Sequence, residues 1–370
     1  MPAPRGAALR IASVDAVPLR FPLVPAFRAA VRTIDSVDLV LVRVRDDAGL
    51  QGTGLAFAFG ADDARPILEL ARSLGATRVG APAIGVEAHV AAMRGALSLL
   101  GAGGPAIAAM GAIDLAMWDL AGRRAGLPLW RLLGGARDRV PAYGSGGSLA
   151  LSTDALVAET QGFVRAGFRA VKIKAGLGAD ADAARLSALR AAFGPSLRIA
   201  IDANQQFSPK AAIRWARAIE RFDPWWIEEP VRADDAAGHA AVRAAIAADV
   251  ATGETLFGTA DAARMIAAGG ADVLMPNLQR VGGLTAWRTI AAAAELAGLR
   301  MAAHVHPEYQ VHLMCAVPNA VALECWPGWP WLWQERLAPG AGGCIAPPDG
   351  PGRGLTPGGG PVAAHRADRR

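Results

Sequence analysis

Eight short apolar runs, spaced almost evenly along the chain from residue 140 onward, constrain its fold more than any other feature. They read "VPAYGSGG", "AVKIKAG", "RIAIDAN", "WWIEEP", "VATGE", "DVLMPN", "MAAHVH" and "VALECW". Ala-rich stretches with helical spacing fill the gaps. A polar or charged residue sits at or near the end of seven of the eight runs. Lys174 to Asp202 is 28 positions, Asp202 to Glu228 is 26, Glu228 to Glu254 is 26, Glu254 to Asn277 is 23, Asn277 to His304 is 27 and His304 to Glu324 is 20. Each interval holds about one strand, one helix and two short loops. That is the crossover parallel strands require, and eight of them close a barrel. Barrel strands are buried on both faces, so they should be apolar throughout, as these mostly are.

The segment before the barrel reads as a small α+β unit. "SVDAVPLRF" and "SVDLVLVRVRDDAGLQGTGLAF" are strand-like, and a turn at Asp47–Gly49 makes a three-stranded meander. Helical patterns run from about Ala64 to Leu74, from Val86 to Leu99, and through "PAIAAMGAIDLAMWDLAGRRAG", with Gly126 as the stop. After Arg336 the chain turns loop-like, and its end, "AAHRADRR", reads as a mobile tail. The expected division is a capping unit over 1–130, a barrel over 131–335, and a segment over 336–370.

Composition excludes several function classes. Hydrophobic residues make up 52% of the 370 and charged residues 19%, which suits a large packed core and not a disordered chain. The start of the chain lacks the apolar run of a signal peptide, and no apolar run approaches the roughly 18 residues a membrane span needs. The net charge of +5 is spread over scattered arginines without a basic stripe or interleaved aromatics, so nucleic acid is not expected as a partner. Cys315, Cys325 and Cys344 have no paired spacing, which points to reduced thiols in a cytoplasmic protein.

Active sites of such barrels form where the strands end. Asp202, Glu228 and Glu254 therefore converge from three successive strands. Three carboxylates at one mouth repel each other, and a hard divalent cation resolves this: Mg²⁺, with Mn²⁺ as the substitute. Lys172 and Lys174, two of only three lysines in the chain, are at i and i+2 of one strand and face the same way. Two close ammoniums beside a cation should depress each other's pKa. A neutral lysine can then serve as a base, which arginine cannot. His304 and Glu324 stand on the opposite side, His304 with a ring that exchanges protons near neutral pH. His306 is expected to support the site from behind and His312 to be structural. Glu229 should face away from the mouth by strand alternation.

On these residues the chain resembles the enolase superfamily, in its mandelate racemase subgroup. The resemblance rests on "GAIDLAMWDLAGRRAGLPLWRLLGG" before the barrel and on "KIK", "IDAN", "WIEEP", "TGE", "MPNLQRVGG", "AAHVH" and "LE" within it, with "PPDGPGRGL" like the segment that returns to the cap. It implies an α/β fold, a modified (β/α)7β TIM barrel under an α+β N-terminal capping domain. It implies Mg²⁺ on Asp202, Glu228 and Glu254, and Lys174 as the base that takes the proton α to a carboxylate to form an enediolate. It further implies that Lys172 tunes that base and touches the substrate carboxylate, that His304 is the acid or base on the other face, that Glu324 donates a hydrogen bond to the carboxylate, and that Asn204 lines the metal site. Relatives often form dimers or octamers, so a homo-oligomer is implied.

One position departs from the family pattern. The sixth strand carries Asn277 where an aspartate usually pairs with the histidine. An asparagine oxygen could still accept the imidazole N–H, but it would not stabilise an imidazolium, so His304 should be a weaker base. That favours dehydration of an acid sugar, with His304 as general acid, over racemisation or epimerisation of a 2-substituted carboxylate, which needs two strong bases. A Schiff-base aldolase using Lys174 and a non-catalytic acid-sugar binder are the remaining alternatives. The substrate is a small carboxylate. The resemblance implies that its identity is set by cap loops within "RFPLVPAFRAAVRTIDS", where Arg28 or Arg32 could meet a distal carboxylate or simply face solvent, and by loops over the barrel mouth.

Overall fold

The computed structural model describes residues 9–329 and 332–367; the first eight residues of the expected cap, and the last three of the expected tail, lie outside the described residues. The chain opens with strands β1 (Ile11–Arg28), β2 (Thr33–Asp46) and β3 (Gln51–Ala58), an antiparallel sheet in the order β1-β2-β3. Helices α1 (Ala61–Ala76), α2 (Val86–Ala96) and α3 (Gly104–Ala125) follow. Helix α3 begins with a proline in its first turn, where the missing N–H costs nothing, and ends at Gly126 with φ 67°. It is apolar on nearly every side and buried accordingly. Gly54 explains how closely it packs: a Cβ there would lie 1.8 Å from the Ala112 carbonyl oxygen.

After a short helix α4 (Leu129–Leu132), eight parallel strands close on themselves: β4 (Val140–Ser145), β5 (Ala170–Lys174), β6 (Arg198–Asp202), β7 (Trp226–Glu228), β8 (Asp249–Thr252), β9 (Val273–Leu274), β10 (Arg300–Ala302) and β11 (Ala320–Cys325). Each coincides with one of the eight apolar runs. Strand β11 pairs with β4 to complete the barrel. Helices α5 (Thr153–Arg165), α6 (Ala179–Phe193), α7 (Pro209–Ile219), α8 (Ala236–Ala245), α9 (Gly258–Ala267), α10 (Leu278–Val281), α11 (Leu284–Leu296) and α12 (Pro307–Ala316) connect the strands from β4 to β11. Among the described residues no helix is long and apolar enough to cross a membrane.

Buried polar contacts fix the cap over the barrel mouth. The Gln279 side chain accepts from the Phe57 N–H at 2.7 Å and donates to the Phe57 carbonyl at 2.8 Å, so one amide closes a ladder rung between barrel and cap sheet. Asp119 of α3 accepts from the backbone N–H groups of Thr53 and Arg353, and Arg353 donates to the Tyr309 hydroxyl, which bonds the Thr53 carbonyl. The C-terminal segment thereby ties cap to barrel. Its strand β12 (Cys344–Ile345) pairs with β4, and helix α13 (Gly359–Ala364) follows. The segment read as a mobile tail is packed at its start: the Arg20 N–H donates to the His365 carbonyl, and Arg366 bridges to Leu19, because β1 is an edge strand with free backbone groups.

Candidate active site

Strand register sets one row of side chains at the mouth. Lys174 pairs with Asp202 across β5 and β6, and Asp202 with Glu228 across β6 and β7. Glu254 follows β8 after Gly253, whose φ of 132° suits only glycine and whose Cβ would press on the Met275 backbone. One oxygen from each of Asp202, Glu228 and Glu254 lies within 4.8 Å of the others, and all three residues are buried. At ~5 Å and an effective dielectric of ~20, each ionised pair would repel by on the order of 3 kcal/mol. The cluster therefore requires compensating charge.

Nearby donors supply part of it. Lys172 Nζ is 2.8 Å from both Glu228 Oε1 and Glu324 Oε1 and 3.9 Å from Asp202 Oδ2. Lys174 Nζ is 2.5 Å from Asp202 Oδ2. His304 Nε2 is 2.9 Å from Glu254 Oε2. Asn204 donates to Asp202 from its backbone and its side chain, which leaves its own Oδ1 buried and unpartnered beside the cluster. Beneath, the Trp226 indole N–H reaches Glu228 Oε2 at 3.4 Å, and the Tyr143 ring lies under Lys172.

Taken without a cation, the protein's own contacts push the two lysines the other way from the expectation beside one. Burial, the largest single effect, works against the charge of Lys174, but Asp202, Glu254 and Glu228 together outweigh burial and the repulsion from Lys172, so its pKa is raised. Lys172 is raised further: burial opposes it, and Glu228 and Glu324 overcome that. Among the carboxylates the environments diverge. Burial, reinforced by Asp202, Glu254 and Glu324, pushes Glu228 well up despite Lys172. Glu254 is held well below the usual range, because His304, Lys174 and Arg280 overcome its burial. Glu324 falls to about 2: burial alone would raise it, but Lys172 foremost brings it down. It accepts from the Val305 N–H at 2.7 Å and from Lys172. In this arrangement Glu324 is an acceptor, where the resemblance implied a donor.

A second correction concerns Asn277. It stands at the N-cap of α10, and its Oδ1 accepts from the backbone N–H groups of Gln279 at 3.1 Å and Arg280 at 3.2 Å. The oxygen is thus engaged. The amide nitrogen faces His304 Nδ1 at 2.9 Å, the reverse of the expected polarity. This assignment of O and N follows from the cap, since a flipped amide would set NH₂ against two N–H donors. With Nδ1 accepting, the ring's proton sits on Nε2, pointed at the carboxylates.

A third correction is Glu229. Strand β7 ends at Glu228, and Glu229 takes φ 40°, which turns its side chain back into the mouth. Asn204, Gln205, Val305 and His306 also have positive φ, so left-handed turns recur where strands meet the cavity. Glu229 is fully buried, accepts from Gln205 and keeps Oε1 unpartnered; burial, then Glu254 and Asp202, push its pKa to about 8. No periodicity signalled it. Trp226, by contrast, shares a face with Glu228 at i−2 and was open to that argument. Arg280, which donates to the Glu254 carbonyl, carried no sequence signal. His306 is buried between Phe57 and Trp329, off the cavity, and His312 is buried on α12 with its Nε2 on the Arg353 carbonyl.

Lys172, Lys174, Asp202, Asn204, Glu228, Glu254, Asn277, His304 and Glu324 come together at this one mouth, and Lys172, Lys174, Asn204, Glu254, His304 and Glu324 line a cavity of about 420 Å³. Of the two cap arginines, Arg32 lines it.

A family model described as enolase C-terminal domain-like matches residues 155–358, and one described as mandelate racemase / muconate lactonizing enzyme, N-terminal domain, matches residues 11–134. The chain belongs to the enolase superfamily. Within the superfamily it is 34% identical over 322 residues to a 3,6-anhydro-alpha-L-galactonate cycloisomerase of Streptomyces coelicolor, covering 86% of this chain and 89% of that one. An L-talarate/galactarate dehydratase from Salmonella typhimurium LT2, liganded with Mg and L-lyxarohydroxamate, superposes with a TM-score of 0.93 at 30% identity, over 98% of this chain and 95% of that one. An enolase from Bradyrhizobium complexed with magnesium and mandelic acid superposes with a TM-score of 0.91 at 33% identity, over 98% and 99%.

Proposed function

We propose that the protein is a Mg²⁺-dependent enzyme that removes the proton α to a carboxylate, forms an enediolate and expels a β-hydroxyl, the reaction type of acid-sugar dehydratases. One observation carries the reading: a lysine and a histidine flank three mutually close carboxylates, in the order Lys174, Asp202, Glu228, Glu254, His304 around the barrel. The donor set fits the ion, being all oxygen, buried and clustered, with the orphaned Asn204 Oδ1 beside it. When bound, Mg²⁺ neutralises the three carboxylates, lowers the proton affinity of Lys174 and stabilises negative charge on the substrate carboxylate.

The protein's own groups do the rest. Lys174 Nζ takes the α-proton, and the C–H electron pair moves into the carboxylate to give the enediolate. Lys172 stays charged between Glu228 and Glu324 and offsets the charge on the substrate carboxylate. His304 presents its Nε2–H as a hydrogen-bond donor to an oxygen of the enediolate. The electron pair then returns to form the C2–C3 double bond as the C3–O bond breaks. The Lys174 ammonium protonates the departing hydroxide to water, and the enol left behind becomes the 2-keto-3-deoxy acid. Lys174 thus acts as base and then acid, so the role of proton donor expected for His304 passes to it.

A second reading, racemisation of a 2-hydroxy acid, has the mandelic acid bound by the Bradyrhizobium relative in its favour. It needs a free lone pair on His304 Nε2, which Asn277 opposes. The same proposal carries a cap over 1–130, a catalytic barrel over 131–335 and a returning segment over 336–370. It describes a cytoplasmic homo-oligomer, in keeping with the unpaired Cys315, Cys325 and Cys344, acting on a small carboxylate and not on nucleic acid. The test is proton exchange. In D₂O with Mg²⁺, a set of 2,3-dihydroxy acids should show solvent deuterium at the α-carbon of recovered substrate and 2-keto-3-deoxy products deuterated at C3. Tight binding without exchange would mean a binder, exchange of both enantiomers without elimination a racemase, and borohydride trapping of a lysine adduct an aldolase.

A further inference from the structure

The two sides of the 420 Å³ cavity differ in kind. Phe27, Val31, Ile34, Phe59, Val305 and Trp326 supply the large apolar part of its lining. Phe27 and Phe59 both meet the Trp326 indole edge-on, with centroids 6.3 and 6.2 Å apart, so the wall has a set shape. Val31 is 66% exposed at its rim.

Four of the polar side chains that could serve a polyhydroxylated or dicarboxylate tail already hold protein partners. Arg32 donates to the Phe59 carbonyl at 2.7 Å and lies over the Phe59 ring. Arg280 donates to the Glu254 carbonyl. Gln205 uses both ends of its amide, on Glu229, Thr255 and the Ala233 N–H. Arg232 makes two bonds to Asp234, an exposed pair and the most easily broken of these. The unpartnered buried oxygens that line the cavity, Asn204 Oδ1 and Glu229 Oε1, lie beside the metal cluster and suit the reacting end. Hydroxyls pressed on the apolar wall would lose water without gaining partners, whereas an apolar group there loses nothing.

We propose that the substrate is a 2,3-dihydroxy monocarboxylate with an apolar tail, alkyl or aryl, seated on the Phe27–Phe59–Trp326 wall. This rests on the reaction proposed above and narrows it, setting aside sugar diacids and polyhydroxy acids.

Hydroxamates separate the tail subsite from the reaction, because they mimic the enediolate and need no turnover. Calorimetry with the Mg²⁺-loaded full chain would compare phenylacetohydroxamate, a polyhydroxylated hydroxamate, a hydroxamate with a distal carboxylate, and tailless acetohydroxamate. The aryl compound should bind at least tenfold tighter than the polyhydroxylated one. Trp326→Ala, and Val31→Asp at the exposed rim where folding is not at stake, should each cost the aryl compound fivefold or more and leave acetohydroxamate unchanged. Equal or tighter binding of the polyhydroxylated compound overturns the proposal. So does tightest binding of the distal carboxylate with its loss in Arg232→Ala, which would make Arg232 a substrate cation. If no acid exchanges its α-proton while the hydroxamates still discriminate as expected, the reaction is refuted and the tail subsite stands.

Discussion

The floor and the roof of the cavity are built on opposite plans. On the floor, side chains at the barrel strand ends are held by ion pairs and hydrogen bonds: Lys172 by Glu228 and Glu324, Lys174 by Asp202, His304 by Glu254 and Asn277. Most are buried; Lys172, Lys174, Asp202 and Glu228 are placed by strand register, and Glu254, Asn277 and His304 follow the ends of their strands. On the roof, Phe27, Val31 and Phe59 belong to the cap or its edges, Trp326 follows β11, and contacts among rings replace charge. The contrast teaches that chemistry and recognition are separable here. A rigid polar floor suits one reaction on a carboxylate, and an apolar roof on a neighbouring unit can be reshaped without disturbing it.

Metal removal should break the floor most completely. Dialysis against EDTA should take α-deuterium exchange below detection, and Mg²⁺ should restore it; exchange that survives chelation would remove the ion from the mechanism. Next, Lys174→Ala should lower exchange by about 10²- to 10⁴-fold with unchanged circular dichroism, the usual worth of a positioned general base. A loss under tenfold would assign the base elsewhere.

The joint between floor and roof comes third. Burial depresses His312 to about 4, against the partial opposition of its bond to the Arg353 carbonyl. Its folded pKa lies below its unfolded value of 6.5, so the unfolded chain binds the extra proton. Its contribution is complete above pH 6.5 and lost as pH falls toward 4. Between pH 7 and 4.5 that is roughly 2–3 kcal/mol. Urea titrations at both pH values should show His312→Gln losing less stability on acidification than the parent; parallel losses would refute this.

Asn277→Asp should sharpen the floor. A carboxylate can cap α10 with one oxygen and accept Nδ1–H with the other, freeing the Nε2 lone pair. Exchange of the enantiomer that the parent ignores should rise by about 10- to 100-fold, the range for residues that orient a reactive histidine. Parent enzyme that already exchanges both enantiomers equally would show that Asn277 does not restrain the ring. The smallest effect belongs to the roof: Phe59→Ala should raise KM for an apolar-tailed acid about tenfold with kcat nearly unchanged, since removing uniform binding moves KM alone.

The barrel was legible in the sequence because its signals are local. Run length, apolar content and the interval between runs depend only on neighbours along the chain, and the two-residue period of a strand sent Lys172 and Lys174 to one face. The same period failed at Glu229, because the strand ends one residue earlier and the left-handed turn that re-aims the side chain carries no glycine or proline signal. The Asn277 departure was visible, but the direction of its amide was not: that is decided by the unpaired N–H groups of Gln279 and Arg280, a property of the folded helix end. The raised pKa of Lys174 depends on a carboxylate 28 residues away, and the roof brings Phe27 against Trp326 across nearly the whole chain. Sequence alone determined which chemistry-bearing side chains stand at or just past the ends of successive barrel strands. Tertiary structure decided what each one faces, because burial, charge and cavity walls arise from contacts between segments that share no local pattern.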